Sequence, residues 1–172
     1  MEPTLHFKLD LDAPIQEVWE AWTTEEGLRS FFSPLVNMDL RPGGPFEILF
    51  GDDAPEGQRG AEGMIVMAYK EPEFFSFTWN APPELPEVRA HMSHVTLRFT
   101  ALDEQRTRLD FKEDGFATGG QWDQRLAYFQ RAWGEVVLPR LALRFAEGPI
   151  QWDAEIDLEP YKKLVATVSP KE

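Results

Sequence analysis

Apolar and polar residues alternate over residues 4–11, and this pattern predicts a first strand with one buried face. Apolar residues then recur at helical spacing over residues 15–22, and Pro14 suits the first turn of that helix. A second short helix is predicted to begin at Thr24. The chain is therefore expected to open with one strand and two short helices.

Six further alternating runs predict an antiparallel sheet. Gly43 and Gly44 separate the first two runs, and a glycine pair in that position favours a hairpin. Residues 81–86 contain three prolines, which remove backbone donors, so this segment is predicted to be a loop at one end of the sheet. The predicted strands cover residues 36–40, 46–50, 63–70, 74–80, 91–100 and 106–113.

After Gly115 the period of the apolar residues changes from two to 3.6, which predicts a long C-terminal helix. Arg125 and its polar neighbours are expected on the other faces of this helix. Pro139 is predicted to kink or restart the helix, and Gly148 to end it. The apolar stripe consists of Trp122, Leu126, Phe129, Trp133, Val136 and Val137.

These elements define an α+β fold in which a bent antiparallel β-sheet wraps around the long C-terminal α-helix, with two short helices after the first strand. A sheet with one apolar face needs a cover, and this helix is large enough to provide it. The 172 residues suit one domain, and aromatic residues make up 13% of them, including 6 Trp and 13 Phe. Such an inventory is suited to lining a space between the sheet and the helix.

Charge and composition exclude several kinds of partner. The net charge is −13, from 30 acidic and 17 basic residues, and such a surface repels nucleic acid and anionic membranes. Without cysteine, the chain can form neither a disulfide framework nor a thiolate metal site. No apolar stretch approaches the roughly 20 residues of a membrane span, and the first residues lack the features of a signal peptide. A cytoplasmic protein is therefore expected, with no nucleic-acid or membrane partner.

Candidate catalytic groups are few. Acidic pairs such as Glu113–Asp114 are predicted to lie in solvated turns or helix starts, whereas acid–base catalysis needs carboxylates that converge in a water-poor pocket. No histidine pair has the spacing of a zinc-binding motif. We therefore expect no catalytic residues, no metal site and no cofactor.

Residues 12–23, DAPIQEVWEAWT, resemble the opening signature of the homologues of the activator of the heat-shock-protein ATPase. That family belongs to the START-like, birch-pollen-allergen-like superfamily (SRPBCC), which has the helix-grip fold. The matches run in order from residue 4 to about residue 146. The other matching segments are residues 40–44 (LRPGG), residues 77–79 (FTW), the strand at 93–99, and Gly115-Phe116 before a tryptophan-bearing helix.

The resemblance implies a helix-grip domain over residues 1–147 with a hydrophobic cavity between the sheet and the helix. Residues 148–172 would form a C-terminal extension, packed on the domain or on a partner subunit. Members of the family include co-chaperone domains linked to the stress response, ligand carriers and cyclase-like enzymes, so the fold alone does not fix the function.

The leading hypothesis is a cytoplasmic protein that binds a hydrophobic small molecule in an aromatic cavity. Trp79 and Trp122 could stack a flat ligand or fill the core, and His91 either faces inward with the parity of its strand or lies solvated at the strand end. A chaperone-associated interaction domain and a cyclase- or hydrolase-like enzyme are the alternatives. The candidate ligand-binding residues are Trp79, His91, Trp122, Phe129, Phe77 and Trp133.

The C-terminal extension carries a second alternating run. Residues 151–159 alternate Trp152, Ile156 and other apolar residues with acidic ones, which predicts an extended strand with one buried face. Such a strand could add to the sheet of a second copy and form a homodimer. Alternatively, the extension folds back over its own domain.

Overall fold

The sheet and helices of the protein follow the predicted order. A computed structural model describes residues 2–51 and 53–169. The strands are β1 (Leu5–Leu11), β2 (Leu35–Met38), β3 (Phe46–Leu49), β4 (Val66–Lys70), β5 (Phe74–Trp79), β6 (Ser93–Asp103), β7 (Arg106–Asp114) and β8 (Val165–Thr167). The helices are α1 (Ile15–Thr23), α2 (Glu25–Arg29), α3 (Gln121–Arg131), a π-helical segment (Ala132–Val137), α4 (Leu138–Glu147) and α5 (Glu159–Lys162).

Six strands form one antiparallel sheet in the order β4-β5-β6-β7-β1-β8. Strands β2 and β3 form the predicted hairpin, which continues from the β4 edge. The Phe46 amide donates to the Met64 carbonyl at 2.8 Å, and the Val66 amide donates to the Gly44 carbonyl at 2.8 Å. The hairpin and the sheet therefore form one curved surface around the long helix, which confirms the helix-grip architecture.

The long helix packs closely on the concave face of the sheet. Phe129 and Trp133 are buried there as the apolar stripe predicts, and Leu126 is half-buried. A Cβ atom on Gly134 would lie 2.9 Å from Cε1 of Phe7, so glycine permits the close approach of the helix to β1. The rings of Trp133 and Phe111 lie 4.7 Å apart, centre to centre, and join the helix to β7.

Pro139 lies in the first turn of α4, after the π-helical segment, at the point where the sequence predicts a kink or a restart of the helix. Helical backbone runs from Gln121 to Glu147, and the π-helical segment lies directly before Pro139. A proline lacks an amide donor and its ring crowds the carbonyl four residues earlier. The wider π turn accommodates this residue while the helix continues.

The prediction of a strand at residues 151–159 is wrong. The segment is irregular. Its sequence alternates because apolar side chains such as Trp152 and Ile156 pack on the domain while the acidic residues between them face solvent. The Trp152 indole donates to the Arg29 carbonyl at 2.7 Å, and the Ile150 amide donates to the Ser30 carbonyl at 2.9 Å. Further on, β8 pairs with β1 of the same chain. The described part of the extension, residues 148–169, therefore lies on its own domain.

Within the described residues, no helix is both long and apolar enough to cross a membrane.

Candidate ligand-binding cavity

An open cavity of about 420 Å³ lies between the long helix, the end of β5 and the loops at one end of the sheet. Three aromatic side chains, Phe32, Trp79 and Trp133, form its floor. The ring centres of Trp79 and Trp133 are 5.2 Å apart, and Phe32 lies 5.7 Å from each of them. All three side chains are nearly fully buried, so the floor is firmly packed from below.

The mouth of the cavity is formed by two loops and two exposed aromatic residues. Phe50 is 57% exposed and Tyr128 is 40% exposed, and both line the opening. In the predicted strand at residues 46–50, alternation places Phe50 on the same buried face as Phe46 and Ile48. That expectation is wrong because β3 ends at Leu49 and the Phe50 ring turns over Phe32, at 6.2 Å, and beside Gly60.

Arg89 ties the two loops together. Its Nη2 donates to the carbonyls of Gly57 at 2.7 Å and Gly60 at 3.0 Å, and its Nη1 donates to the carbonyl of Ala81. The Asn80 amide also donates to Gly60, at 3.0 Å. These bonds hold the loop at residues 53–60 and the proline-containing loop in place, so the opening has a defined shape.

The six candidate residues divide into three groups. Trp79, Phe129 and Trp133 line the cavity. Phe77 lies in the core, where its ring stacks on Phe46 at 4.1 Å. His91 and Trp122 face each other at 5.5 Å, ring centre to ring centre, beside a second and more open depression.

The inward orientation of His91 is therefore wrong. Strand β6 begins at Ser93, so the parity of its buried residues does not extend back to His91. His91 is exposed and belongs to the end of the proline-containing loop. The alternative position, a solvated strand end near that loop, is the one observed.

A buried polar network lies directly behind the cavity floor. Glu113 is fully buried, accepts a hydrogen bond from the Trp133 indole at 2.9 Å and bonds to the Ser93 hydroxyl at 2.6 Å. Nη2 of Arg125, which is also fully buried, donates to the same hydroxyl at 3.1 Å. Glu113 was expected to be solvated as part of an acidic pair, and the structure overturns this because Glu113 continues the buried face of β7.

Arg125 connects this network to the proline-containing loop. Its Nη1 donates to the carbonyls of Val88 at 2.9 Å and His91 at 2.6 Å, and its Nη2 donates to the Trp79 carbonyl at 3.3 Å. Its guanidinium also lies 5.3 Å from the centre of the Trp122 ring. The expectation that Arg125 lies outside the buried face of the helix is wrong, because these carbonyls replace water around its charge.

Burial raises the pKa of Glu113 to about 7, although the hydrogen bonds from Ser93 and Trp133 and the charge of Arg125 act in the opposite direction. Burial lowers the pKa of Arg125, and the charge of Glu113 opposes that change. Among the described residues no cluster of acidic and histidine side chains could hold a metal ion. Glu113 does not line the cavity, so it does not contact a ligand there. Its hydrogen bond with the indole instead positions Trp133.

The raised pKa of Glu113 predicts that its contribution to stability depends on pH. Below the unfolded-state pKa of 4.5 the carboxyl is protonated in both states, and its contribution is fully present. As the pH rises through about 7 the buried carboxyl ionises, and about 3 kcal/mol is lost. Urea unfolding at about pH 5 and about pH 8 measures this effect. Between these pH values the free energy of unfolding should fall by about 3 kcal/mol more for wild type than for Glu113→Gln. Identical pH profiles for the two proteins would contradict the assignment.

A sheet that grips a long helix beside an aromatic cavity defines the class of helix-grip proteins. The sequence profile of the family described as "Activator of Hsp90 ATPase homolog 1-like protein" matches residues 12–145. The chain therefore belongs to this family, as its resemblance indicates. The match ends shortly before Gly148, and the division between residues 1–147 and 148–172 stays a prediction.

Solved structures share this fold at low sequence identity. The Aha1 dimer from Colwellia psychrerythraea has a TM-score of 0.65 and 12% identity, covering 85% of this chain and 98% of that one. Protein MLL2253 from Mesorhizobium loti has a TM-score of 0.66 and 21% identity, covering 86% and 100%. PFC0360w, an HSP90 activator from Plasmodium falciparum, has a TM-score of 0.62 and 17% identity, covering 86% and 97%. No protein with a curated description matches the chain in sequence.

Proposed function

We propose that this chain binds a hydrophobic small molecule in the cavity above Phe32, Trp79 and Trp133. The observation that carries this proposal is the cavity itself: about 420 Å³ of open space over a packed aromatic floor. That volume falls within the range of small-molecule pockets. Flat aromatic surfaces favour a ligand with a flat apolar body, through area burial and ring stacking.

The buried network supports the proposal because it fixes the floor before a ligand arrives. Glu113 holds the Trp133 indole from behind, and Arg125 holds the backbone of Trp79. A ligand that enters a fixed site loses less free energy to the ordering of side chains. Such preorganisation is what a binding site for a rigid apolar molecule requires.

A fluorescence titration with N-phenyl-1-naphthylamine, a neutral aromatic probe, tests the proposal. Ala132 lines the cavity, so the indole of Ala132→Trp should occupy part of it and weaken probe binding by about tenfold or more. Ala127 is exposed on the same helix and does not line the cavity, so Ala127→Trp is the matched control and should change the affinity by less than about twofold. Equal affinities of the two variants, or no saturable binding to wild type, would refute the proposal.

A chaperone-associated role is the second candidate, and family membership is the observation that favours it. PFC0360w is described as an HSP90 activator, and it shares the fold of this chain. If the chain acts in the same way, it should raise the ATPase rate of Hsp90. A protein that only binds a ligand in its cavity should leave the ATPase rate of Hsp90 unchanged.

Two further expectations stay predictions. The cytoplasmic location stays the default expectation drawn from the sequence features described above. A homodimer is supported by the similarity to the Aha1 dimer. A dimer joined by a strand from residues 151–159 is not proposed, because that segment is irregular and β8 pairs with β1 of its own chain.

A further inference from the structure

The rim of the cavity is positively charged, although the chain as a whole carries a net charge of −13. Arg59, Arg89 and Arg140 line the cavity, and Glu84 is the one acidic residue among the described residues that line it. Glu62, just outside the lining, offsets part of the charge of Arg59 and Arg89, but cations remain in excess over the aromatic floor. This contrast indicates that the cavity is adapted to a ligand with negative charge.

The three arginines differ in how their donors are used. Arg89 donates to backbone carbonyls of the two loops, as described above. Arg59 donates through Nε to the Ala54 carbonyl at 2.9 Å. Arg140, by contrast, has no hydrogen bond or ion pair with any described residue, and its Nε is buried without a partner. Arg140 is therefore the arginine whose guanidinium N–H groups remain available to bind a ligand.

The C-terminal extension holds Arg140 in place. The guanidinium carbon lies 5.2 Å from the centre of the Trp152 ring, and the Trp152 indole is anchored to the Arg29 carbonyl at 2.7 Å. Burial lowers the pKa of Arg140, and among the described residues no carboxylate opposes this change. A half-buried arginine stays charged under these conditions, because its ordinary pKa lies far above neutral pH.

We propose that the ligand is an amphiphilic anion, with an apolar and preferably aromatic body over Trp79 and Trp133 and one carboxylate or sulfonate group paired with Arg140. The planar guanidinium can donate two parallel hydrogen bonds to such a group. This inference rests on the proposed function and adds the chemical class of the ligand. It also gives the extension a role, because Trp152 covers and orients the arginine that binds the anion.

Two matched probes test the inference. 8-Anilinonaphthalene-1-sulfonate has the same aromatic body as N-phenyl-1-naphthylamine and carries one additional sulfonate. Arg140→Gln should weaken the binding of the sulfonate probe by about tenfold and leave the neutral probe within about twofold. Arg131→Gln removes the same charge from an exposed position of the helix and should change neither affinity by more than about twofold.

Wild-type protein provides a second readout that does not depend on the folding of any variant. At about 150 mM sodium chloride, which screens the long-range repulsion by the net charge of −13, wild type should bind the sulfonate probe at least as tightly as the neutral one. Neutral-probe binding that is lost in Ala132→Trp, together with sulfonate-probe binding that is weaker than neutral-probe binding in wild type and insensitive to Arg140→Gln, would overturn this inference and leave the proposed function standing. Neutral-probe binding that is unaffected by Ala132→Trp would instead overturn the proposed function.

Discussion

Replacing Trp133 with alanine is expected to lower the free energy of unfolding by about 3–5 kcal/mol. The side chain is buried at the centre of the molecule and contacts Phe32, Phe111 and Phe129. The substitution would leave a cavity and would also deprive Glu113 of the indole donor. Chemical denaturation followed by far-UV circular dichroism measures the change.

The matched control for this substitution is Tyr128→Ala. Tyr128 lies on the same helix but is 40% exposed, so its removal should cost less than about 1 kcal/mol. A loss below about 1 kcal/mol for Trp133→Ala would show that the helix does not grip the sheet through this residue.

Replacing Arg125 with methionine is expected to cost about 3–5 kcal/mol, the usual penalty for removing one partner of a buried charged network. Three backbone carbonyls, of Val88, His91 and Trp79, would each lose a donor. Removing the positive charge would also raise the pKa of Glu113 further, because that charge lowers it at present. Urea unfolding measures the loss, which should be larger at about pH 8 than at about pH 5.

Arg131→Met is the control, because Arg131 is exposed on the same helix and should be neutral within about 0.5 kcal/mol. A second check combines Arg125→Met with Glu113→Gln, which should remove the pH dependence of the loss. If Arg125→Met costs under about 1 kcal/mol at both pH values, Arg125 is not the connection between the network and the proline-containing loop.

Alternation along single strands was enough to predict the apolar core below the cavity, together with Trp79 in the cavity floor. Phe75, Phe77 and Trp79 face inward because successive side chains of a strand point to opposite faces, and all three are buried. The helical period identified Phe129 and Trp133 in the same way. These predictions depend on local geometry alone, so they do not require the fold to be known.

The polar side of the site could be predicted only in part. Glu113 has the parity of Leu109 and Phe111 on β7, and that signal was available in the sequence. Arg125 lies three residues after Trp122 and four before Phe129, so helical spacing places it at the edge of the apolar stripe. Its acceptors could not be predicted, because they come from Trp79 and residues 88–91, which are distant in the chain. Arg140 likewise becomes a candidate only when Trp152 is placed against it by tertiary contacts.

The most direct test of the central claim is to determine which of the six tryptophans a bound ligand contacts. Each indole N–H gives a separate signal in a nitrogen-15 NMR spectrum, which single Trp→Phe variants assign. Titration with N-phenyl-1-naphthylamine should shift the signals of Trp79 and Trp133, which line the cavity, and leave that of Trp122 unchanged. A shift of the Trp122 signal while Trp79 and Trp133 stay unchanged would contradict binding in this cavity.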